Sequence, residues 1–115
     1  MSVEKDLIFY CSGEFMGEGD NELGRILRKN FFYTLAQGEK YPEAIVFINS
    51  GVKLTSKTSP AAEYLVELEK KGVQILACGT CLDFYKIKNM PRVGKATNME
   101  NITDLLLKSE RVVTL

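Results

Sequence analysis

Two thiols three positions apart, in Cys78-Gly79-Thr80-Cys81, form the clearest reactive pattern in the chain. They follow the apolar run Val73-Gln74-Ile75-Leu76-Ala77 and precede a short helix expected over Leu82 to Lys86. Thr80 with Asp83 fits a capping box, which predicts that Thr80 caps this helix and that Cys81 opens it. A thiol at a helix N-terminus feels unpaired amides that favour the thiolate. Asp83 pulls the other way, since a nearby carboxylate disfavours a second negative charge. The sequence contains no histidine, so thiol chemistry here runs without an imidazole base.

Each of these residues also has a plainer reading. Free cysteine is among the most buried residue types, so the alternative for Cys78 is a small apolar residue at a strand end. Cys11 is expected to be structural, with a place at the site as the alternative. A single CxxC supplies two metal ligands where a structural zinc takes four, so no metal and no cofactor are expected. The loop Gly13 to Asp20 is rich in glycine, but Glu14, Glu18 and Asp20 would repel a phosphate and the G-x-G-x-x-G spacing is absent. It reads as an irregular loop feeding a capped helix. Lys53 is the one cation expected near the thiols, either as a solvated lysine or as a partner for an anionic sulfur.

The elements that must position these groups alternate. The run Leu7-Ile8-Phe9-Tyr10 reads as the first strand, of the kind covered on both faces. Asp20 is the expected N-cap of a helix whose inward face is Leu23, Ile26, Leu27, Phe31 and Leu35, closed by Gly38. Pro42 marks a loop, and Ala44 to Ile48 is the second strand, ended by Asn49-Ser50-Gly51. A long connection leads to Ser59-Pro60, N-cap and first position of a second helix with Ala61, Leu65 and Leu68 inward and Gly72 at its end. The third strand runs into the thiols. Val93 to Thr97 reads as a fourth strand, Asn98 as the cap of a helix burying Met99, Ile102, Leu105 and Leu106, and Arg111 to Thr114 as a fifth strand.

Strictly alternating strands and helices predict an α/β fold with a parallel sheet between helix layers and right-handed crossovers. In such sheets ligands sit beyond the carboxyl ends of the strands. Those ends carry Cys11-Ser12-Gly13, Asn49-Ser50-Gly51, Cys78 to Cys81 and Thr97-Asn98. The expected site is therefore Cys78 and Cys81 for the chemistry, with Asn49, Ser50, Gly51, Lys53, Thr80 and Asn98 lining it.

The 115 residues read as one domain spanning 1–115. Fifteen basic residues balance fifteen acidic ones and no Lys/Arg-rich run occurs, which argues against nucleic-acid binding. No apolar run reaches the ~20 residues of a membrane helix. Met1 to Asp6 has no signal-peptide core, so a cytoplasmic setting with reduced thiols is expected.

Several ordered motifs together resemble the C-terminal, DsrE-like domain of the YedF family of selenium-metabolism and sulfurtransferase-like proteins. They are Met16-Gly17-Glu18-Gly19-Asp20 with Leu23-Gly24, Phe47 to Leu54, Leu68 to Val73, Cys78-Gly79-Thr80-Cys81-Leu82, and Val93 to Met99. The resemblance covers nearly the whole chain. It implies a three-layer α/β/α sandwich with a mostly parallel five-stranded sheet, homo-oligomeric assembly, and a cysteine holding sulfur or selenium as a persulfide or selenopersulfide. On that reading Cys78 is the carrier and Cys81 resolves it or stabilises the charged form, with Ser50, Gly51 and Thr80 binding the terminal anion. Donor and acceptor proteins are the implied partners, a TusA-like domain among them. YedF proteins typically carry such a domain at their N-terminus, and it is not within this sequence. The alternatives are a non-catalytic docking subunit of a sulfur-relay complex, in which the CxxC is structural, and a dithiol redox protein.

Overall fold

The computed structural model describes residues 2–115. In chain order the elements are β1 (Ser2–Cys11), α1 (Asn21–Gln37), β2 (Lys40–Phe47), a 3₁₀ helix (Asn49–Thr55), α2 (Ala62–Lys70), β3 (Gln74–Cys78), α3 (Gly79–Phe84), β4 (Lys95–Thr97), α4 (Met99–Lys108) and β5 (Arg111–Thr114). The five strands form one sheet in the order β4-β3-β2-β1-β5, and every ladder within it is parallel. The first three crossovers step in one direction across the sheet and the last steps back. With right-handed connections, α1, α2 and α3 lie on one face and α4 on the other, the layering expected from the alternation. Among the described residues no helix is long and apolar enough to cross a membrane.

The core is centred on the middle strand, β2. Ala44, Ile45, Val46 and Phe47 are at most 1% exposed, as a strand covered on both faces requires. Burying each large side chain of this set contributes roughly 1.5–3 kcal/mol. Phe47 packs against Phe32 of α1 at 6.0 Å between ring centroids, and Phe9 of β1 against Phe31 at the same distance.

β1 and β2 both run further than their apolar runs predict. β1 starts at Ser2 because a bulge between Glu4 and Ile8 lets the strand resume its pairing with β2. Asp6 takes φ 64° there, a left-handed conformation that aspartate tolerates, and its N–H donates to Glu43 Oε1 at 3.0 Å. Pro42, expected in a loop, lies inside β2 opposite Glu4. Pairing with β3 starts only at Ala44, so the side of β2 that proline cannot serve has no neighbour at that point.

The inward face of α1 differs from the expected one. Gly24, Arg28, Phe32 and Ala36 are buried, whereas Leu23, Ile26 and Leu27 are 52%, 50% and 41% exposed. The helix is turned by the loop before it. A side chain at 24 would collide with Phe15, so the loop lies directly on the helix there, with Met16 N–H donating to the Gly24 carbonyl at 3.1 Å. Arg28 then points inward to hold that loop. It donates to the Gly13 carbonyl from Nε (3.1 Å) and Nη2 (2.9 Å), and from Nη2 to the carbonyls of Phe15 (3.2 Å) and Leu115 (3.4 Å).

Of two other helix starts, one shifts and one does not. α2 begins at Ala62 with Ala61 as its N-cap, but Ser59 keeps a capping role, since its hydroxyl accepts the Ala61 N–H at 3.2 Å. Asn98 caps α4 as expected, accepting from Asn101 N–H at 2.8 Å.

Candidate functional site

The register brings the expected rim together. Cys11 lies level with Phe47, Phe47 with Ala77, and Cys78 with Thr97, so the carboxyl ends of β1, β2, β3 and β4 finish side by side. The chain after β2 turns back at once. Ile48 N–H donates to the Cys11 carbonyl at 3.0 Å, and the 3₁₀ helix packs onto the end of β1 so tightly that a Cβ at Gly51 would run into that same carbonyl. Glycine is required at 51 by this close approach.

The thiols sit differently from the capping-box expectation. α3 is already helical at Gly79, Cys78 is its N-cap residue, and Thr80 lies within the first turn rather than capping it. β3 stays extended through Cys78 and passes into the helix without a loop, which moves the boundary two residues upstream of Thr80. Cys78 is 2% exposed and packs with the core, while Cys81 is half-buried at the surface.

Cys81 is the better-connected thiol. Its Sγ accepts the backbone N–H of Asn49 at 3.1 Å. Asn49 has φ 49°, a left-handed conformation that asparagine adopts more readily than most residues, and this turns its amide toward the thiol. The Asn49 side chain is held in turn, with Oδ1 accepting the Tyr85 hydroxyl at 2.7 Å. Lys53 Nζ lies 4.5 Å from the centroid of the Tyr85 ring, a cation–π contact. One contact chain thus runs from Lys53 through Tyr85 and Asn49 to Cys81.

Burial and the neighbouring Cys78 thiol push the Cys81 thiol above its ordinary range, against the opposing pull of the Asn49 N–H. Asp83 takes no part in this balance; it faces Lys88 at 3.6 Å in an exposed pair. Burial likewise raises Cys11, partly offset by the Arg28 guanidinium and by the Gly13 backbone; as a thiol, its Sγ donates to the Gly13 carbonyl at 3.4 Å. Cys11 is fully buried, on the side of the rim tied down by Arg28.

The other expected lining residues divide. Ser50 Oγ accepts the Glu14 N–H at 3.1 Å, fastening the glycine-rich loop to the 3₁₀ helix. Asn98 spends its side-chain oxygen on the α4 cap. Lys53 is not the one cation nearby: Arg25 and Lys29 of α1 share with it the walls of a cleft of about 250 Å³. Tyr85, Arg25 and Lys29 are the functional candidates that sequence reading passes over. Tyr85 directly follows the thiol helix, a position worth weighing in advance, whereas the two α1 cations reach the cleft only through the turn of the helix.

A protein-family model described as the DsrE/DsrF-like family matches residues 18–115. Among solved structures, the chain is similar to the ychN protein from E. coli, with TM-score 0.65, 14% identity and coverage of 95% of this chain and 97% of that one. It is also similar to MTH1491 from Methanobacterium thermoautotrophicum, titled a protein of unknown function, with TM-score 0.67, 16% identity and the same two coverages. BT1422 from Bacteroides thetaiotaomicron, titled a conserved protein of unknown function, aligns at TM-score 0.62 and 14% identity over 96% of this chain and 95% of that one. At these identities the likeness is one of fold. No curated protein matches the sequence.

Proposed function

Because the chain belongs to the DsrE/DsrF-like family, which is linked to sulfur relay, we propose that it carries sulfur or selenium on its CxxC. The carrying residue in this reading is Cys81, reversing the order of roles expected from the place of Cys78 at the strand end. The single observation behind the choice is accessibility: Cys81 reaches the surface beside an N–H donor, whereas Cys78 is 2% exposed.

The reaction is an exchange at sulfur. The Cys81 thiolate, its proton released to solvent, attacks the terminal sulfur of a donor persulfide. The donor's S–S bond breaks, the donor leaves as a thiolate and takes up a proton, and Cys81 holds the sulfur as a persulfide. An acceptor thiolate attacks that terminal sulfur in turn and Cys81 departs as its thiolate. Alternatively Cys78 attacks Cys81 Sγ, giving the Cys78–Cys81 disulfide and hydrosulfide. Selenium follows the same path. The Asn49 N–H supplies a donor beside the sulfur, and Tyr85 keeps Asn49 in place for it. Donor and acceptor proteins, a TusA-like domain included, are the proposed partners, and a cytoplasmic setting keeps the thiols reduced. Homo-oligomerisation belongs to the same proposal, supported by the exposed Leu23, Ile26 and Leu27 of α1.

Treating the reduced chain with a persulfide donor and mapping the adduct by mass spectrometry tests this. Cys81→Ser is expected to abolish loading, while Cys78→Ser keeps loading and loses disulfide formation. Loading that survives Cys81→Ser and vanishes in Cys78→Ser rejects the assignment. A second reading, a docking subunit, draws on Phe84, which is 78% exposed on the thiol helix with its ring edge-on to Tyr85 at 5.2 Å. An unloaded protein that binds a relay partner, and loses it on Phe84→Ala, favours that reading.

A further inference from the structure

The cleft that Lys53 lines carries a charge that the chain as a whole does not. Overall the sequence is neutral, yet Arg25, Lys29 and Lys53 meet in this one cleft against a single carboxylate, Glu14. Glu14 is engaged by Arg25 at 3.8 Å, and among the described residues neither Lys29 nor Lys53 has an ion-pair partner. Arg25 is held besides by its place over the Phe15 ring, 4.9 Å from the centroid. Ser56, Thr58 and Ser59 line the cleft as well, and Leu54 and Ile87 contribute to its apolar part. At about 250 Å³ the cleft falls just below the ~300–1,000 Å³ range of drug-sized ligand sites. It suits a small molecule with an apolar body and a negatively charged head, and is too small for a nucleotide.

Lys53 joins the cleft to the chemistry. It lines the wall and also stands over Tyr85, whose hydroxyl holds Asn49, whose N–H meets Cys81. We propose that this cleft is a subsite for the carboxylate of a small thiol persulfide, which places that donor's terminal sulfur within reach of Cys81. The proposal rests on the carrier reading and narrows it to a substrate class. The step balances as before: Cys81 bonds to the terminal sulfur, the donor S–S bond breaks, and the small mercapto-carboxylate leaves as a thiolate that takes up a proton.

Two measurements on the full reduced chain decide it. In the first, mercaptopropionate, the desulfurated form of such a donor, is titrated while backbone amide NMR signals are followed. Saturable shifts at Lys53, Ser59 and Arg25 that weaken in Lys29→Gln are expected. In the second, Cys81 loading rates are compared for the persulfides of mercaptopropionate and of uncharged mercaptoethanol. The charged donor is expected to load faster, and Lys29→Gln to lower the ratio of the two rates by about three- to fivefold, the effect of losing one exposed charge pair. Lys29 is exposed, so the variant keeps the fold. Equal loading from both donors, untouched by Lys29→Gln and without cleft shifts, overturns the subsite and leaves the carrier reading standing. Failure of both donors to load Cys81 rejects the carrier reading and sulfur delivery with it, and the NMR titration then decides whether the cleft binds a carboxylate at all.

Discussion

Gly51→Ala tests how the rim is assembled. The added methyl would meet the carbonyl oxygen of Cys11, with the Cys11 carbonyl carbon at 3.2 Å and Gly13 N at 3.3 Å. All three are backbone atoms at the end of β1, which Arg28 and the Ile48 N–H already pin, so no side-chain rotation relieves the contact. Forcing a methyl into such a place costs about 1–3 kcal/mol. For 115 residues at ~2.1 cal/mol/K per residue, the unfolding entropy near the midpoint is about 0.24 kcal/mol/K. The variant should therefore melt about 4–12 °C lower by circular dichroism. Gly38→Ala is the control, because its Cβ would find only ordinary contact with the Leu35 carbonyl at 3.4 Å, and it should melt within about 2 °C of the parent. Equal melting of Gly51→Ala and the parent would refute the close approach of the 3₁₀ helix to β1.

Stability should also fall in alkali. Cys11 and Cys81 are both raised by burial, so the unfolded chain releases their protons first, near the ordinary thiol range of about 8.5. Their contribution is complete below that pH and is lost as pH rises toward the folded-state values. Urea midpoints at neutral pH and near pH 9.5 should show the decline, and Cys11→Ala should lessen it; a flat or rising profile contradicts the assignment. On α1, Leu23→Glu with Ile26→Glu should change monomer stability by less than about 0.5 kcal/mol per site, since both positions are half exposed, while lowering the apparent mass in sedimentation. An unchanged mass removes that stripe from any self-association.

The alternation of apolar runs and turn residues was enough to read strand order along the chain and the gathering of Cys11, Asn49, Cys78 and Asn98 at one rim. That follows because parallel strands joined by helices must finish on the same side. The face of α1 was illegible for a physical reason. Its apolar residues outnumber those the sheet can cover, and the choice among them is made by Gly24 and Arg28, which a hydrophobic pattern scores as neutral and outward. The capping-box reading of Thr80 failed similarly, because β3 enters α3 without the loop that a cap terminates. Pro42 escaped as a strand residue because only pairing register reveals that it faces no second neighbour. Tyr85 became visible only when the left-handed Asn49 brought its side chain across to it.

On the proposed function, Cys81 is where the chalcogen first arrives. The most direct test is a time course of the reduced, native chain with a persulfide donor, quenched by alkylation and mapped residue by residue. The first added sulfur is expected on Cys81, with Cys78 modified later and only as its disulfide partner. First appearance on Cys78, or no adduct on either thiol, would contradict it.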